Sequence, residues 1–301
     1  MLPTLATLFT VVLPAFLVMG VGAVAGYTLS LDLTPLNRLA LYATTPALVF
    51  SSLSSTTLGA GNVGRLLAAF LLMLALMLVV SSVASRHLSA GSRRGVIASS
   101  LFVNSANLML PVTLFAVGEA GLERALVLYV ATTVLLYLVC PVIFSSAPWS
   151  GSLRSAFTLP VVWAALSAAL FNVLDWSLPL GVMRGVELLA GAAVPLVLLV
   201  LGVQIQRAGL AVPSGVNWLA AGIKLVVGPV AAFAAAYVGG LKGTDLAVVT
   251  LFGSMPPAVM VFMLALEFSD NAEEVARTVV VSTLGALLSV SVVVTLLGPL
   301  L

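Results

Sequence analysis

NSANLMLP at residues 104–111 and GSMPP at residues 253–257 are the two stretches that decide the fold of this chain. Each places polar or proline residues in the middle of a long apolar run. Proline removes a backbone hydrogen-bond donor and clashes with the preceding helical turn, so Pro256 and Pro257 predict that their helix opens there. Where the solvent is lipid, the backbone groups freed by such a break must be satisfied by protein or by water. Two such breaks therefore predict a polar centre inside the fold.

The composition indicates that the solvent is lipid. Of the 301 residues, 61% are hydrophobic and 7% are charged, and the mean hydropathy is +1.24. A soluble domain carries about 25% charged and about 45–50% apolar residues, so no soluble core of this length would bury the excess. This excludes a sizeable nucleotide-binding, DNA-binding or polar catalytic domain. The net charge of +2, with thinly spread basic residues, predicts no nucleic-acid partner.

Hydropathy and helix-breaking residues predict an all-α polytopic membrane protein with ten spans of about 20 residues. The two stretches begin about 8–12 residues into spans 4 and 9, which is about 12–18 Å of helix and close to the middle of a bilayer core of about 30 Å. The four tryptophans fall near span ends, where their rings settle at the membrane interface: Trp149, Trp163, Trp176 and Trp218. The predicted spans are 5–28, 35–55, 62–84, 96–117, 122–145, 158–174, 183–206, 217–237, 245–267 and 276–299.

A shift of 150 residues superposes the two stretches and predicts an internal repeat. It brings Asn104 onto Ser254 and Thr132 onto Ser282, with six identities over residues 101–133. Each copy holds five predicted spans, and because five is an odd number, the second copy is inverted relative to the first. Inverted repeats are a common plan of secondary transporters, with the substrate site at the repeat interface. The predicted units are a first repeat at 1–145, a cytoplasmic linker at 146–157 and a second repeat at 158–301.

The paired breaks are the candidate substrate site. Two broken helices that meet near the midplane point half-helix N-termini at a shared point, and the partial positive charge there suits an anion. The amides of Asn104 and Asn107 add neutral donors. The alternative is a pair of kinked helices whose Asn and Ser side chains only bond a neighbour. The candidate substrate-binding residues are Asn104, Asn107, Ser254 and Met255, and the candidate helix-crossover residues are Pro111, Pro256 and Pro257.

Two ionisable residues inside the spans are candidates for ion coupling. Lys224 lies about seven residues into predicted span 8, near the cytoplasmic face, where snorkelling of its side chain is the competing interpretation. Glu187 lies one turn after Arg184 near the outer end of span 7, so an ion pair between these two competes with proton coupling.

The distribution of Lys and Arg predicts the orientation. Connections on the N-terminal side of the membrane hold Arg65, Arg124, Arg184 and Lys242, whereas those on the other side hold Arg38, Arg86, Arg93, Arg94, Arg154, Arg207 and Arg277. The excess of positive charge on cytoplasmic connections predicts that both termini lie outside the cell membrane.

At these residues the chain resembles the auxin efflux carrier family of permeases, nearly end to end. The matching stretches are residues 36–38 with 46–50, 104–111 with 118–121, 195–202, and 254–258. The family often has glycine where this chain has Met109. The resemblance implies two inverted five-helix repeats, as in bile-acid sodium symporters and sodium/proton antiporters. It also implies a dimerising scaffold of spans 1, 2, 6 and 7 and a transport domain of spans 3–5 and 8–10, whose broken spans 4 and 9 cross at their prolines.

The resulting prediction is a secondary transporter that moves a small organic anion, auxin-like or malate- or malonate-like, by an elevator motion. The expected partners are this anion, the bilayer and a second copy of the chain. One alternative is a sodium-coupled symporter of the bile-acid carrier type, and another is a membrane sensor that binds without transporting. No catalytic dyad or metal-ligand set stands at membrane depth, so neither enzyme activity nor a cofactor is expected.

Overall fold

The computed structural model describes residues 13–29, 31–145, 157–208, 212–269 and 271–298. The start of predicted span 1, the linker at 146–156 and Trp149 lie outside the described residues. Within them the regular structure is helical, as the sequence predicts, with one isolated β-bridge in place of any sheet.

The first half of the chain contains α1 to α7. The segment between α2 and α3 is a π-helical turn at Ala40–Thr44, and another π-helical turn at Ser105–Met109 leads into α6. The helices are α1 Leu13–Thr28, α2 Leu33–Leu39, α3 Thr45–Ser54, α4 Ala60–Ala84, α5 Ala90–Leu101, α6 Leu110–Val117 and α7 Glu119–Ser145.

The second half contains α8 to α14, with a π-helical turn at Ile223–Val227 that joins α10 to α11. The helices are α8 Pro160–Val173, α9 Leu180–Ala208, α10 Gly215–Gly222, α11 Gly228–Val238, α12 Gly243–Ser254, α13 Val259–Phe268 and α14 Ala272–Leu297.

Five helical segments are long and apolar enough to cross a membrane by length and composition: Ala60–Ala84, Glu119–Phe144, Leu180–Arg207, Gly215–Val238 and Ala272–Leu297. Shorter apolar helices occupy Leu13–Thr28, Ser105–Val117, Pro160–Val173 and Val259–Phe268. The chain therefore carries several membrane-crossing helices, and the ten-span inverted repeat stays a prediction.

Small residues bring two pairs of helices into close contact. A Cβ atom on Gly22 of α1 would overlap the carbonyl oxygen of Leu199 on α9, and one on Gly202 of α9 would overlap that of Met19. At the start of α11 and the end of α12, Gly228 and Gly253 face each other with backbone against backbone. Such contacts replace the hydrophobic effect as the source of helix association in lipid.

Two groups of helices result from this packing. In one group α1 packs on α9 and α3 packs on both α8 and α9, while in the other α11 packs on α4 and α12. Helix α9 of the first group also contacts the π-helical turn Ser105–Met109 of the second. The interrupted segment between α5 and α6 thus lies where the two groups meet.

Candidate functional site

The two broken helices meet at their breaks. Helices α5 and α12 each contain 12 residues, or about 18 Å of helix, and each then opens into a short extended segment. Val103 and Pro257 form an antiparallel bridge between these segments. The Asn104 N–H donates to the Pro256 carbonyl at 2.7 Å, and the Ala258 N–H donates to the Phe102 carbonyl at 3.0 Å. Backbone groups freed by one break are therefore satisfied by the other, as a buried break requires.

The prolines play different parts in the two breaks. Pro256 and Pro257 stand in the extended segment, and the bridge tolerates Pro257 because its hydrogen bonds are made by the flanking residues. The role of Pro111 as a helix-crossover residue stays a prediction. The helix opens at residues 102–104, and Pro111 lies seven residues later, directly after the π-helical turn in the continuous helical segment Ser105–Val117. The irregular turn before Pro111, rather than a helix N-terminus, accommodates its missing N–H.

Asn104 combines a structural role with a free donor. Its Oδ1 atom accepts a hydrogen bond from the Asn107 N–H at 3.2 Å and caps the helical segment that follows. Its Nδ2 atom is buried and has no hydrogen-bond partner. Since an unsatisfied buried polar group costs about 1–3 kcal/mol, this amide is a strong candidate for contact with a ligand or a water molecule.

Further buried hydroxyl groups without partners lie on the helices that pack around the breaks. They belong to Thr113 of α6, Thr132 of α7 and Ser282 of α14. Thr132 and Ser282 are the pair that the 150-residue shift aligns. All three hydroxyls supply neutral donors and acceptors and carry no charge. Thr113 escaped the sequence analysis because a lone threonine in an apolar helix has no distinguishing pattern.

The remaining predicted site residues differ in how available they are. Asn107 is half-buried, and its side-chain amide forms no hydrogen bond with the described residues. The Ser254 hydroxyl is buried and donates to the Leu251 carbonyl of its own helix at 2.7 Å. Met255 is fully buried in the extended segment, as is Met109 in the π-helical turn. Asn104 and Asn107 thus carry the free amide groups, whereas the Ser254 hydroxyl is satisfied within its helix and Met255 has no hydrogen-bond donor in its side chain.

Helix ends of both polarities lie at the breaks. The segments Ser105–Val117 and Val259–Phe268 begin there and bring N–H groups with partial positive charge, whereas α5 and α12 end there and bring carbonyl groups. The residues from Phe102 to Asn107 and from Gly253 to Ala258 include no acidic side chain. Nor do three or more His, Cys, Asp or Glu residues cluster anywhere in the described part of the chain.

The structure corrects the snorkelling interpretation of Lys224. The helix begins at Gly215, so Lys224 lies about 14 Å along it, and the side chain is fully buried. Its Nζ atom donates to the Ser100 carbonyl, near the end of α5, at 3.3 Å. The sequence does not reveal this burial, because it does not show whether the face of the helix that bears Lys224 is covered by other helices. Gly228, one turn later, marks the packed face of the helix.

Glu187 has a different environment. Both Glu187 and Arg184 are exposed on α9, and they form no ion pair in the structure. The ion pair that competes with proton coupling is therefore not formed, and ion coupling by Glu187 stays a prediction. The free carboxylate lies on the surface of the protein.

Comparisons with known proteins identify the family. A sequence model of the family described as "Membrane transport protein", the auxin efflux carrier family, matches residues 7–294. The chain belongs to this family. The resemblance found in the sequence is thereby confirmed, and the protein is a multi-pass membrane transporter rather than a member of an enzyme class.

Two archaeal relatives of this transporter agree with that assignment. An uncharacterized transporter of Methanothermobacter thermautotrophicus is 27% identical over 270 residues, which cover 86% of this chain and 87% of the relative. An uncharacterized transporter of Methanocaldococcus jannaschii is 25% identical over 205 residues, 65% of this chain and 66% of the relative.

Proposed function

We propose that this transporter is a secondary carrier of a small organic anion, bound at the paired breaks. The observation that carries the proposal is the buried Asn104 Nδ2 atom, a free donor in the first break, with no acidic residue in either break. An ionised carboxylate accepts hydrogen bonds and has no proton to donate, so it is complementary to a site that presents hydrogen-bond donors. The chemical class of substrate is therefore a carboxylate, such as indole-3-acetate, malate or malonate.

The packing supports an elevator mechanism. On this proposal spans 1, 2, 6 and 7, which contain α1–α3, α8 and α9, form the scaffold. Spans 3–5 and 8–10 then form the transport domain that carries both breaks. The π-helical turn Ser105–Met109 of the first break contacts α9 of the proposed scaffold, which supports a site between the proposed scaffold and the proposed transport domain. Sliding of one group along the other would move the bound anion from one side of the membrane to the other.

The scaffold also offers a surface for a homodimer. Leu17, Val21 and Val24 lie on one exposed apolar face of α1. Gly20 lies on the same face and leaves room for close approach, since nothing lies near the position of its missing Cβ. We propose that a second copy covers this face.

The proposed topology has both termini outside the cell membrane, in line with the excess of Lys and Arg on the other side.

The direct test measures flux and charge movement in proteoliposomes. The purified protein is given indole-3-acetate, malate and malonate in turn, with sodium or with choline as the only monovalent cation. A saturable anion-dependent current or tracer uptake that is the same in both salts supports the proposal. Uptake that requires sodium would instead favour a symporter of the bile-acid carrier type. Binding of an anion without flux would indicate a sensor.

A further inference from the structure

Lys224 takes no part in the anion site described above. Its side chain is fully buried near the middle of the segment Gly215–Val238, and its Nζ atom contacts the Ser100 carbonyl at 3.3 Å. It forms no ion pair with any carboxylate of the described residues. Acidic residues on the helices packed around it stand in first turns, Asp245 in α12 and Glu273 and Glu274 in α14.

The end of α5 explains why a cation is held there. The last four carbonyl groups of a helix lack intrahelical partners and carry partial negative charge. The last residues of α5, from Ala98 to Leu101, are buried, so these carbonyl groups need partners within the protein. The Ala98 carbonyl accepts from the Phe102 N–H at 3.2 Å, and the Ser100 carbonyl accepts from Lys224. A cation at a helix C-terminus is stabilised by the helix dipole, most strongly where it is buried.

The second break has no equivalent group. The residue 150 positions before Lys224 is Leu74, on α4. The end of α12 is packed by Gly228 and Phe70 instead, the latter in an edge-to-face contact with Phe252 at 5.4 Å between ring centroids. One of the two buried helix C-termini thus has a charged partner, and the other has an apolar one.

We infer that Lys224 is a resident cation of this carrier, a fixed positive charge at the first break that replaces a co-transported sodium ion. The inference rests on the proposed function, because it assigns the residue a role in anion movement. With a monovalent anion bound next to this charge, no net charge moves through the bilayer core, and one positive charge returns through it with the empty domain. Transport is then independent of sodium, and the membrane potential acts on the empty domain.

The charge can be tested without any substrate. Lys224 and Lys242 are the only lysines of the chain, and Lys242 is exposed. Protein labelled with ¹⁵N-lysine in nanodiscs therefore gives two Nζ signals in an NMR spectrum, and Lys242→Arg leaves one. We expect the remaining signal to be that of an ammonium group at pH 7. A neutral amine at that pH would overturn the inference, whatever the protein transports.

The role is tested by exchange and uptake in proteoliposomes with indole-3-acetate as the probe. Wild-type exchange of this monoanion should be independent of membrane potential and of sodium. Lys224→Met should lower uptake at least about tenfold, and its exchange should become voltage-sensitive, by up to about 50-fold per 100 mV for one charge crossing the whole field. Lys224→Arg should keep the voltage-independent exchange, and Lys242→Met is the matched control, which should behave as wild type.

The outcomes separate the two proposals. If wild-type protein moves neither indole-3-acetate nor malonate, the proposed substrate class fails, and the NMR signal still decides whether Lys224 is a cation. If the wild type moves indole-3-acetate only with sodium, or if Lys224→Met keeps wild-type uptake and voltage-independent exchange, the resident-cation role is refuted. If Lys224→Met does not fold, the comparison of wild type with Lys224→Arg and the NMR signal decide the question.

Discussion

The two breaks share a backbone bridge and differ in almost everything else. The first break contains Asn104 and a π-helical turn, has free buried donors, and ends a helix that contacts Lys224. The second contains two prolines, and its Ser254 hydroxyl is satisfied within its own helix. Two breaks joined by one backbone bridge therefore need not contribute equally to the chemistry of the site. The comparison suggests that the first break recognises the anion and that the second holds the first in place.

The sharpest way to test this division is Asn104→Asp. The new carboxylate keeps an oxygen that accepts from the Asn107 N–H, so the helix cap survives, but it replaces the free donor by a negative charge. We expect uptake of the anion to fall about 100-fold or more, because a charge-assisted hydrogen bond is lost and repulsion is gained. Tracer uptake in proteoliposomes measures this.

The control for that experiment is a substitution at Ser254, the residue of the second break that aligns with Asn104. Ser254→Ala removes a hydroxyl that bonds only to the Leu251 carbonyl, so its effect on uptake should be small. If Ser254→Ala and Asn104→Asp lowered uptake equally, the two breaks would share the anion and the division would be wrong.

A smaller effect is expected from Asn107→Ala. The Asn107 side chain is half-buried and forms no hydrogen bond with the described residues, so its removal should leave thermal stability unchanged. The loss of one hydrogen bond to a charged substrate, worth about 1.5–3 kcal/mol, predicts a rise in the anion dissociation constant of about 10- to 100-fold. Binding measured by isothermal titration tests this, and wild-type transport by the variant would contradict the site assignment.

The glycine contact of the second break predicts a loss of stability. A Cβ atom on Gly253 would overlap Ala232 and the Gly228 backbone, so Gly253→Ala should destabilise the protein by about 1–3 kcal/mol through overpacking. Gly222→Ala is the matched control, because nothing lies within 4 Å of its missing Cβ. Thermal unfolding in detergent should separate the two variants, and equal unfolding temperatures would refute the tight contact.

The sequence alone predicts the membrane class and the location of the second break, because composition and adjacent prolines act locally. It places the first break in the stretch 104–111 but does not show that the helix already opens at residues 102–104. Pro111 is the obvious breaker, yet it lies within the continuous helical segment Ser105–Val117, and the break is set by pairing with a segment about 150 residues away.

The burial of the Lys224 side chain cannot be predicted from the sequence for a related reason. The side chain of a lysine within a span snorkels or stays buried according to which face of its helix the other helices cover. The free hydroxyls of Thr132 and Ser282 raise the same problem, since whether a threonine bonds its own helix depends on rotamer and packing. Tertiary contacts decide each of these features, and only the aligned spacing of Thr132 and Ser282 points to them in advance.

The smallest effects on uptake are expected when Pro257 or Pro111 is replaced by alanine. Pro257→Ala adds an N–H at the bridge position, where the flanking residues already make both hydrogen bonds, so the bridge should persist. The variant loses the rigidity of proline, which predicts a destabilisation of about 0.4–1 kcal/mol and a fall in uptake of about two- to fivefold. Pro111→Ala lies within the helical segment Ser105–Val117, seven residues after the break, and should change uptake less. Initial uptake rates of the two variants, measured at equal protein density, give the ratio. A larger loss in Pro111→Ala would mean that span 4 pivots at its proline during transport, and the first break would then hold the hinge as well as the substrate.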